Sequence, residues 1–531
     1  MRHYISFSKL EHYFFVAIML LNLIPVCAGS FFPSLDGPAH LYNSNLINSL
    51  LFCKSEVMHS YFVLNPELIP NWTGHFILSV FNFFLPAFIA EKVFVITYLI
   101  ALPISFRALI KTTSPNNYLL SYFIFPFTYS YLFFLGFYNF SIALIFLFVT
   151  LNFWMRNQHS KPTLYKSIIL FVLFLSTYFS HVFVFAILLL VIGIQIGFYS
   201  IISYTTEKKE LTKRTLIKNL ILFFSCSIIP LLLLVNYFYK REMGVDAFVE
   251  KSELFSWIKN IRPLIAFNFE KEEMYSIGLF YLLFSITAIL IYTRVGSFSN
   301  IKNIFSFIKH MKHSDIWLIS AIIMLFLYFN LPDSDGQAGY VSIRLCLLFY
   351  LFLILWVSTQ NISKWFSIVT ILIILYNNFN LNAYYYSVTK ELNKIAEECH
   401  SVSNFIKPNS IVLPINKSDS WLYSHYSNYL GIDKPMVILE NYEASTGYFP
   451  IKWNENDLPN TIENEKNFFG CLNWKNNINN QKRKQIDYVF ILGEIDSTKN
   501  SCDSTINFVL TKNYKQVFKG NFSSLYKKTS L

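Results

Sequence analysis

An aspartate and a histidine, four residues apart, open a polar loop in a sequence that is otherwise dominated by apolar stretches. They lie in the string Phe31-Phe-Pro-Ser-Leu-Asp36-Gly-Pro-Ala-His40, directly after the first apolar segment. Pro38 suits the first turn of a helix, which makes Asp36 its predicted N-cap and places His40 on its first turn. Carboxylate and imidazole groups are also the side chains that most often move protons in enzymes. The spacing alone does not distinguish a capping role of Asp36 from a catalytic one.

The length and content of this loop favour chemistry over capping alone. The loop runs to His75 and contains further polar and aromatic side chains: Glu56, His59, Asn65, Glu67, Asn71, Trp72 and His75. A long polar loop at the mouth of a membrane helix is a place where water, a lipid headgroup and an acceptor molecule can meet. We therefore predict that the first outer loop, residues 31–75, is functional.

Composition identifies the chain as a membrane protein. It has 531 residues, of which 54% are hydrophobic and only 14% are charged, whereas about a quarter of the residues of a soluble protein are charged. Stretches of about 20 apolar residues recur, and such a stretch can cross a bilayer core of about 30 Å. The eleven predicted spans lie near residues 13–30, 88–110, 117–136, 138–154, 165–180, 182–203, 216–238, 276–293, 315–331, 341–358 and 363–381.

The distribution of charge predicts the orientation of these spans. With a cytoplasmic N-terminus, the inner segments carry seventeen basic and four acidic residues, and the outer loops between spans carry seven basic and twelve acidic residues. Basic residues mark cytoplasmic loops in membrane proteins. The net charge of +11 therefore requires no nucleic-acid partner. An odd number of spans places the C-terminal tail outside the cytoplasm, together with the Asp36 loop.

The composition changes after about residue 382, which predicts two domains: a transmembrane domain at 1–382 and a small extracytoplasmic α/β domain at 383–531. Residues 386–406 have helical spacing. Short strands are expected at 410–414, 436–439 and 486–492, with two more at 508–510 and 516–518. Residues 454–482 are expected to form a surface excursion. A disulfide between Cys471 and Cys502 is an open alternative if the tail is extracytoplasmic.

This architecture resembles that of the GT-C superfamily of membrane glycosyltransferases, which includes protein mannosyltransferases, aminoarabinose transferases and oligosaccharyltransferase catalytic subunits. The string Leu35-Asp36-Gly-Pro-Ala-His40-Leu-Tyr42 also resembles the Asp-x-Pro-x-His opening of many bacterial members. The resemblance implies a polytopic helical protein of a bacterial inner or plasma membrane. It also implies inverting transfer of a hexose or pentose from a polyprenyl-phosphate carrier to a lipid, glycan or protein of the envelope.

The chemistry implied by the resemblance assigns a role to Asp36. Inverting sugar transfer needs one base that takes the proton of the acceptor hydroxyl group, and Asp36 is the expected base. Family members often have a second carboxylate near the first, and it sometimes helps to hold a divalent cation. Here the neighbour is Gly37, so metal dependence stays open. Glu56 or Glu67 could supply the second carboxylate, but their spacing selects neither.

Histidines and an arginine are the predicted substrate-binding residues: His40, His75, His181 and Arg344. Ionisable groups at membrane level are costly and usually face a cavity. The Arg344 guanidinium could hold a lipid phosphate, or it could pair with Asp333 or Asp335 to seal a loop. His181 could equally be satisfied within the helix bundle.

The tail contains a further group of aromatic, amide and charged residues, for which packing is the favoured interpretation over contact with a sugar: His425, Asn441-Tyr-Glu443, Gly447-Tyr-Phe-Pro450 and Trp453. Two other functions stay open for the whole chain. One is a non-catalytic scaffold of envelope assembly, which the absence of an acid at Gly37 favours. The other is a lipid or solute transporter, although the sequence lacks the paired broken helices that are typical of transporters.

Overall fold

The computed structural model describes residues 7–53, 55–206, 209–241, 244–295, 311–336, 338–454, 486–496 and 501–529. These residues are mainly helical. The helices are α1 Phe7–Leu21, α2 Gly37–Asn48, α3 Glu56–Tyr61, α4 Thr73–Phe84, α5 Ala87–Thr113, α6 Ile124–Thr128, α7 Tyr131–Phe134, α8 Tyr138–Asn157, α9 Leu164–Ser180, α10 Val182–Thr206, α11 Lys209–Lys240, α12 Lys251–Lys259, α13 Phe269–Val295, α14 Ile316–Asn330, α15 Val341–Ser358, α16 Lys364–Val402, α17 Tyr442–Ser445 and α18 Ser501–Asn513.

Within the described ranges, nine helical stretches are long and apolar enough to cross a membrane. They are Lys9–Ala28, Ala87–Thr113, Tyr138–Asn157, Val182–Tyr204, Thr212–Lys240, Phe269–Arg294, His313–Asn330, Val341–Ser358 and Lys364–Phe405. Helix α9 is apolar but shorter, with 17 residues. The predicted class, a polytopic helical membrane protein with a small α/β region near its C-terminus, is confirmed.

One predicted span is not a continuous helix. The stretch 117–136 is divided into a 3₁₀ segment, Pro115–Phe123, and the short helices α6 and α7. Helix α6 contains Pro126, which lacks a backbone N–H donor, and Tyr129 behind it has non-helical backbone angles. At the end of the stretch, Gly136 has a φ of +76°. A window of hydropathy detects the apolar character of this stretch but not these interruptions.

The chain forms two compact units, each described here by itself. The helical unit contains residues 1–24, 97–134 and 139–385, and the loop-and-tail unit contains residues 25–96, 135–138 and 386–531. The second unit thus combines the first polar loop with the C-terminal tail. The predicted domain division at residue 382 remains a prediction.

Two pairs of opposite charges lie inside the helical unit. Arg107 donates two hydrogen bonds to the carboxylate of Glu11, at 2.8 and 2.5 Å, and both residues are buried. Arg294 pairs with Asp315, which also accepts a hydrogen bond from the indole of Trp356 at 3.2 Å. Such pairing is expected because an unpaired charge is costly at membrane depth.

The loop-and-tail unit contains two sheets. Its strands are β1 Phe62–Leu64, β2 Ile411–Asn416, β3 Val437–Ile438, β4 Ile451–Trp453, β5 Tyr488–Leu492, β6 Tyr514–Lys519 and β7 Ser523–Lys528. The larger sheet has the order β3-β2-β5-β7-β6, with β2 parallel to β3 and β5. The smaller sheet pairs β1 of the first loop with β4 of the tail, antiparallel.

The tail differs from its predicted elements in three places. Residues 508–510 belong to α18, a 13-residue helix, and not to a strand; three consecutive apolar residues are too short a run to distinguish the two. The polar strand β7 has no apolar alternation along its sequence and was not predicted. The predicted helix at 386–406 is the second half of α16, which continues without a break from the last apolar segment and ends at Val402. The predicted excursion at 454–482 lies outside the described residues, except for Asn454.

Helix α2 is buried within the loop-and-tail unit although half of its residues are polar. The hydroxyl of Tyr42 donates to the carbonyl of Met436 at 2.7 Å and accepts from the N–H of Ile438 at 3.1 Å. The amide of Asn45 donates to the carbonyl of Gly431 at 2.8 Å. A buried polar group is tolerated when it is hydrogen-bonded, and the tail supplies these partners.

Candidate active site

Asp36 lies on a turn that a distant glycine allows. Its backbone N–H donates to the carbonyl of Leu135 at 3.2 Å. A Cβ atom on Gly136 would lie 2.7 Å from the backbone nitrogens of Asp36 and Gly37, so only glycine permits this close approach. Asp36 precedes α2, as predicted, but its carboxylate makes no capping hydrogen bond. The carboxylate is therefore not engaged by the helix end.

A histidine and a glutamate of the tail extend from Asp36 in a row. Nε2 of His425 lies 3.7 Å from Oδ1 of Asp36, and Nδ1 of His425 is hydrogen-bonded to Oε1 of Glu440. The hydroxyl of Ser427 and the amide of Asn428 donate to the other oxygen of Glu440. The three central side chains form a carboxylate–imidazole–carboxylate row, in which the ring is hydrogen-bonded to Glu440 and close enough to Asp36 for an ion pair.

Burial and charge set the ionisation of this row. Burial raises the pKa of Asp36 to about 6, and the attraction of His425 and His40 offsets part of this effect. Burial opposes the charged form of His425, but the nearby carboxylates, Glu440 first, outweigh it and raise the pKa of His425 to about 8. At neutral pH an ionised carboxylate therefore faces a protonated imidazole. A carboxylate with a pKa near neutrality is well matched to general-base work.

A second cluster combines His40, one helical turn after Asp36, with His75 and with Glu443 of the tail. Nδ1 of His40 lies 3.2 Å from Nε2 of His75. The two oxygens of Glu443 lie 2.7 Å from these same nitrogens, Oε1 from His40 and Oε2 from His75. All three side chains are buried. One ligand atom from each residue lies within 4.8 Å of the others, so the cluster could hold a metal ion.

Each member of this cluster is held by a second contact. Nε2 of His40 lies 2.9 Å from the carbonyl oxygen of Gly136, and Nδ1 of His75 lies 3.2 Å from that of Asn71. The amide of Asn43 donates to Oε2 of Glu443 at 2.6 Å. Burial favours the neutral carboxyl of Glu443, but the two histidines outweigh it and hold the pKa of Glu443 well below its ordinary value.

Aromatic rings surround both clusters. Tyr442 stacks on His425 with a centroid distance of 4.3 Å. Phe449 lies 6.0 Å from the ring of His40 and 5.6 Å from that of His75. Trp453 takes no part and instead stacks on Phe62 across the β1–β4 pair, at 4.5 Å. The tail residues that the sequence assigned to packing are thus divided between packing and the candidate site.

The predicted residues fall into two groups. Asp36, His40 and His75 lie together in the loop-and-tail unit, as described above. His181 and Arg344 belong to the helical unit, where both contact the ring of Phe140. The centroid of that ring is 5.4 Å from the His181 ring and 5.6 Å from the Arg344 guanidinium. Their predicted roles in substrate binding remain predictions.

Three members of the candidate site come from the tail: the sequence favoured packing over sugar contact for His425 and Glu443, and it did not single out Glu440. Glu56, considered as the second carboxylate, is exposed at the start of α3, and Glu67 is half-buried. The sequence signal for Glu443 is its place in the short polar run Asn441-Tyr-Glu443, which follows the apolar strand β3. That run does not reveal which distant residues it meets.

Comparison with known proteins gives distant structural likenesses. No protein-family model matches the chain, and no curated protein matches its sequence. The chain is similar to the crystal structure of ArnT from Cupriavidus metallidurans bound to undecaprenyl phosphate, with 7% identity, a TM-score of 0.49 and coverage of 98% of this chain and 99% of that chain.

A second similar structure is that of the Archaeoglobus fulgidus oligosaccharyltransferase tethered by a disulfide bond to an acceptor peptide containing the NVT sequon. The identity is 10%, the TM-score is 0.41, and the match covers 98% of this chain and 75% of that chain. Both TM-scores are below 0.5, so these likenesses alone define neither the fold nor the activity of the chain.

Proposed function

We propose that this membrane protein is a glycosyltransferase that moves a sugar from a polyprenyl-phosphate carrier to an acceptor at the outer face, with Asp36 as general base. The observation that carries the proposal is the setting of Asp36. Its carboxylate is freed from capping, has a pKa raised to about 6 and lies in a row with His425 and Glu440. The resemblance of the Asp36 string to GT-C sequences supports sugar transfer over other base-catalysed reactions.

The proposed reaction uses Asp36 in one step. As an acceptor hydroxyl attacks the anomeric carbon, its proton passes to the carboxylate of Asp36, and the bond from that carbon to the carrier phosphate breaks. Protonated His425 holds Asp36 ionised before the step, because its positive charge favours the carboxylate form. The leaving phosphate needs little protonation but does need cationic or hydrogen-bonding partners. Arg344 remains the proposed phosphate ligand among the sequence-derived candidates.

The test is turnover by the purified full-length protein in liposomes. Undecaprenyl-phosphate carriers with different hexoses and pentoses are offered together with an envelope extract, and release of free undecaprenyl phosphate is measured. We expect Asp36→Asn to reduce turnover by about 10²–10⁴-fold, the usual contribution of a general base. The matched control is Asp246→Asn, since Asp246 is an exposed aspartate and its amide variant should keep full activity.

The other outcomes separate the alternatives. Turnover that is equal in the Asp36→Asn and unmodified proteins would exclude Asp36 as the base. If the unmodified protein consumes no carrier but binds envelope proteins, the scaffold function replaces the enzymatic one. If it moves the carrier across the bilayer without consuming it, the protein is a transporter.

A further inference from the structure

We propose that His40, His75 and Glu443 form a binding site for a first-row transition metal ion of the zinc class. The three residues come from α2, α4 and α17, so an ion bound here ties the first loop to the tail. The inference is independent of the sugar-transfer proposal, because it depends only on the geometry of three side chains.

The spacing of the three donors is slightly tighter than that of a metal coordination sphere. A tetrahedral zinc ion has bonds of about 2.0–2.2 Å to nitrogen and oxygen, which separates its ligand atoms by roughly 3.2–3.5 Å. Here the two imidazole nitrogens are 3.2 Å apart, and each lies 2.7 Å from an oxygen of Glu443. An outward shift of a few tenths of an ångström would open the cluster to coordination distances.

The tautomers of the two histidines point lone pairs into the cluster. Nε2 of His40 and Nδ1 of His75 each face a backbone carbonyl oxygen, of Gly136 and Asn71 respectively. A carbonyl oxygen can only accept, so these nitrogens carry the ring protons. In a neutral ring the opposite nitrogen is then a bare acceptor. Two such acceptors facing each other and the carboxylate of Glu443 repel one another unless a proton or a metal cation lies between them.

One oxygen of the cluster depends on a single polar neighbour. Oε1 of Glu443 is fully buried, and Nδ1 of His40 lies 2.7 Å from it. The whole residue has no exposed surface. A buried carboxylate oxygen normally has a partner, and a metal ion placed between the three donors would supply a second one.

The surroundings of the cluster are those of a metal site. Metal-bound histidines usually donate their second ring N–H to a carbonyl or carboxylate, and ligating carboxylates are themselves hydrogen-bonded. Both features are present here. Asn43 donates to Glu443, and the amide of Asn441 donates to Oδ1 of Asn43 at 2.6 Å, which fixes the orientation of Asn43.

The donor set selects the class of ion. Two imidazole nitrogens and one carboxylate suit Zn²⁺ and neighbouring divalent transition metals, whereas Mg²⁺ and Ca²⁺ prefer sets made of oxygen atoms. Three protein ligands also leave a fourth position for water or another oxygen ligand. The site therefore differs in kind from one built of paired carboxylates.

The test is direct metal analysis of the full-length protein, purified in detergent with a tag that contains no histidine. We expect about one zinc ion per chain after exposure to zinc and removal of the excess, with no comparable retention of magnesium. His75→Gln and Glu443→Gln should each lower the retained zinc at least fivefold. The matched control is His59→Gln, because His59 is an exposed histidine of the same loop and its loss should leave the zinc content unchanged.

Cobalt replacement gives a readout that needs no variant to fold. Co²⁺ in a site with nitrogen and oxygen ligands and four-fold coordination absorbs visible light, and the band should disappear when zinc is added in excess. Retention of equal zinc by the two site variants and the unmodified protein would assign the metal to another place. If the unmodified protein retains no zinc and shows no cobalt band, the cluster is held by protons alone and the metal-site proposal is wrong. None of these measurements requires turnover, so their failure leaves the sugar-transfer proposal to its own test.

Discussion

At the scale of single residues, Asp36 carries a charge that its surroundings oppose. Burial raises its pKa to about 6, and the positive charges of His425 and His40, together with a hydrogen bond from Tyr442, keep the value from rising further. A base must be deprotonated to act, so activity should follow the ionised fraction of Asp36. We expect kcat/KM to be level above pH 7 and to fall toward tenfold per pH unit below pH 6, as measured by initial rates at acceptor concentrations well below KM.

His425, the partner of Asp36, gives a second prediction about the same pH profile of kcat/KM. Replacing His425 with glutamine removes a positive charge 3.7 Å from the carboxylate. The pKa of Asp36 should then rise, and the acidic limb of the profile should move to higher pH. The His59→Gln variant should keep the original profile. An unmoved limb in His425→Gln would show that the titrating group is not Asp36.

The residue types of the first loop were informative, but their partners were not. Asp36, His40 and His75 were identified because they are polar groups that follow an apolar span. Their partners lie more than 360 positions later and are His425, Glu440 and Glu443. The sequence of that tail predicts an ordinary small α/β region. Periodicity and composition report local structure, and they contain no information on which distant side chains meet inside a fold.

At the scale of elements, the segment 135–138 supports the Asp36 turn. Gly136 has a left-handed backbone conformation and contacts the backbone of Asp36 and Gly37, and its carbonyl oxygen also faces His40. We expect Gly136→Ala to lower stability by about 1–3 kcal/mol, the usual cost of a strained backbone, and to lower turnover more than tenfold by displacing Asp36.

The control for this prediction is Gly197→Ala in α10. A Cβ atom at Gly197 meets nothing within 4 Å, and alanine favours a helix over glycine. This variant should therefore keep full activity and equal or higher stability. The measurements are the thermal unfolding midpoint in detergent and the turnover assay. Wild-type activity in Gly136→Ala would show that the turn does not depend on this glycine.

Helix α2 has its own supporting amide. Asn43 exchanges hydrogen bonds with Asn441 and donates to Glu443, so its loss leaves the buried side-chain amide of Asn441 without its acceptor. We expect Asn43→Ala to destabilise the protein by about 1–3 kcal/mol, seen as a lower unfolding midpoint. Asn380→Ala, at a half-buried position where the amide contacts only its own helix, should change the midpoint by much less. Equal midpoints in the two variants would mean that water replaces the missing amide.

At the scale of the whole molecule, hydropathy predicted most of the helices because length and apolar content are enough to define a span. It failed at 117–136, where Pro126 and Gly136 interrupt the helix within an apolar run. It also divided α16 into a span and a separate tail helix, because composition changes along the helix while its backbone continues. Composition reflects the surroundings of a segment, whereas the continuity of a helix depends on its backbone hydrogen bonds.

The predicted orientation can be tested in membranes. Lys407 and Lys161 are both exposed, and the charge pattern places Lys407 outside the cytoplasm and Lys161 inside. In a protein with Cys27 replaced by serine, we expect Lys407→Cys to react with an impermeant maleimide on intact cells. Lys161→Cys should react only after permeabilisation. The parent without an introduced cysteine sets the background, and the reverse pattern would overturn the topology.

The hydrogen bond between Asn43 and Glu443 joins residues 400 positions apart, and this separation has a consequence for the synthesis of the protein. At translation rates of about 5–20 residues per second, the first loop emerges roughly 20–80 s before its partner residues exist. During that interval the amides and imidazoles of α2 have only water or a chaperone to bind. The site is therefore completed last, and a chain that stops before the tail is made has every span but no assembled centre.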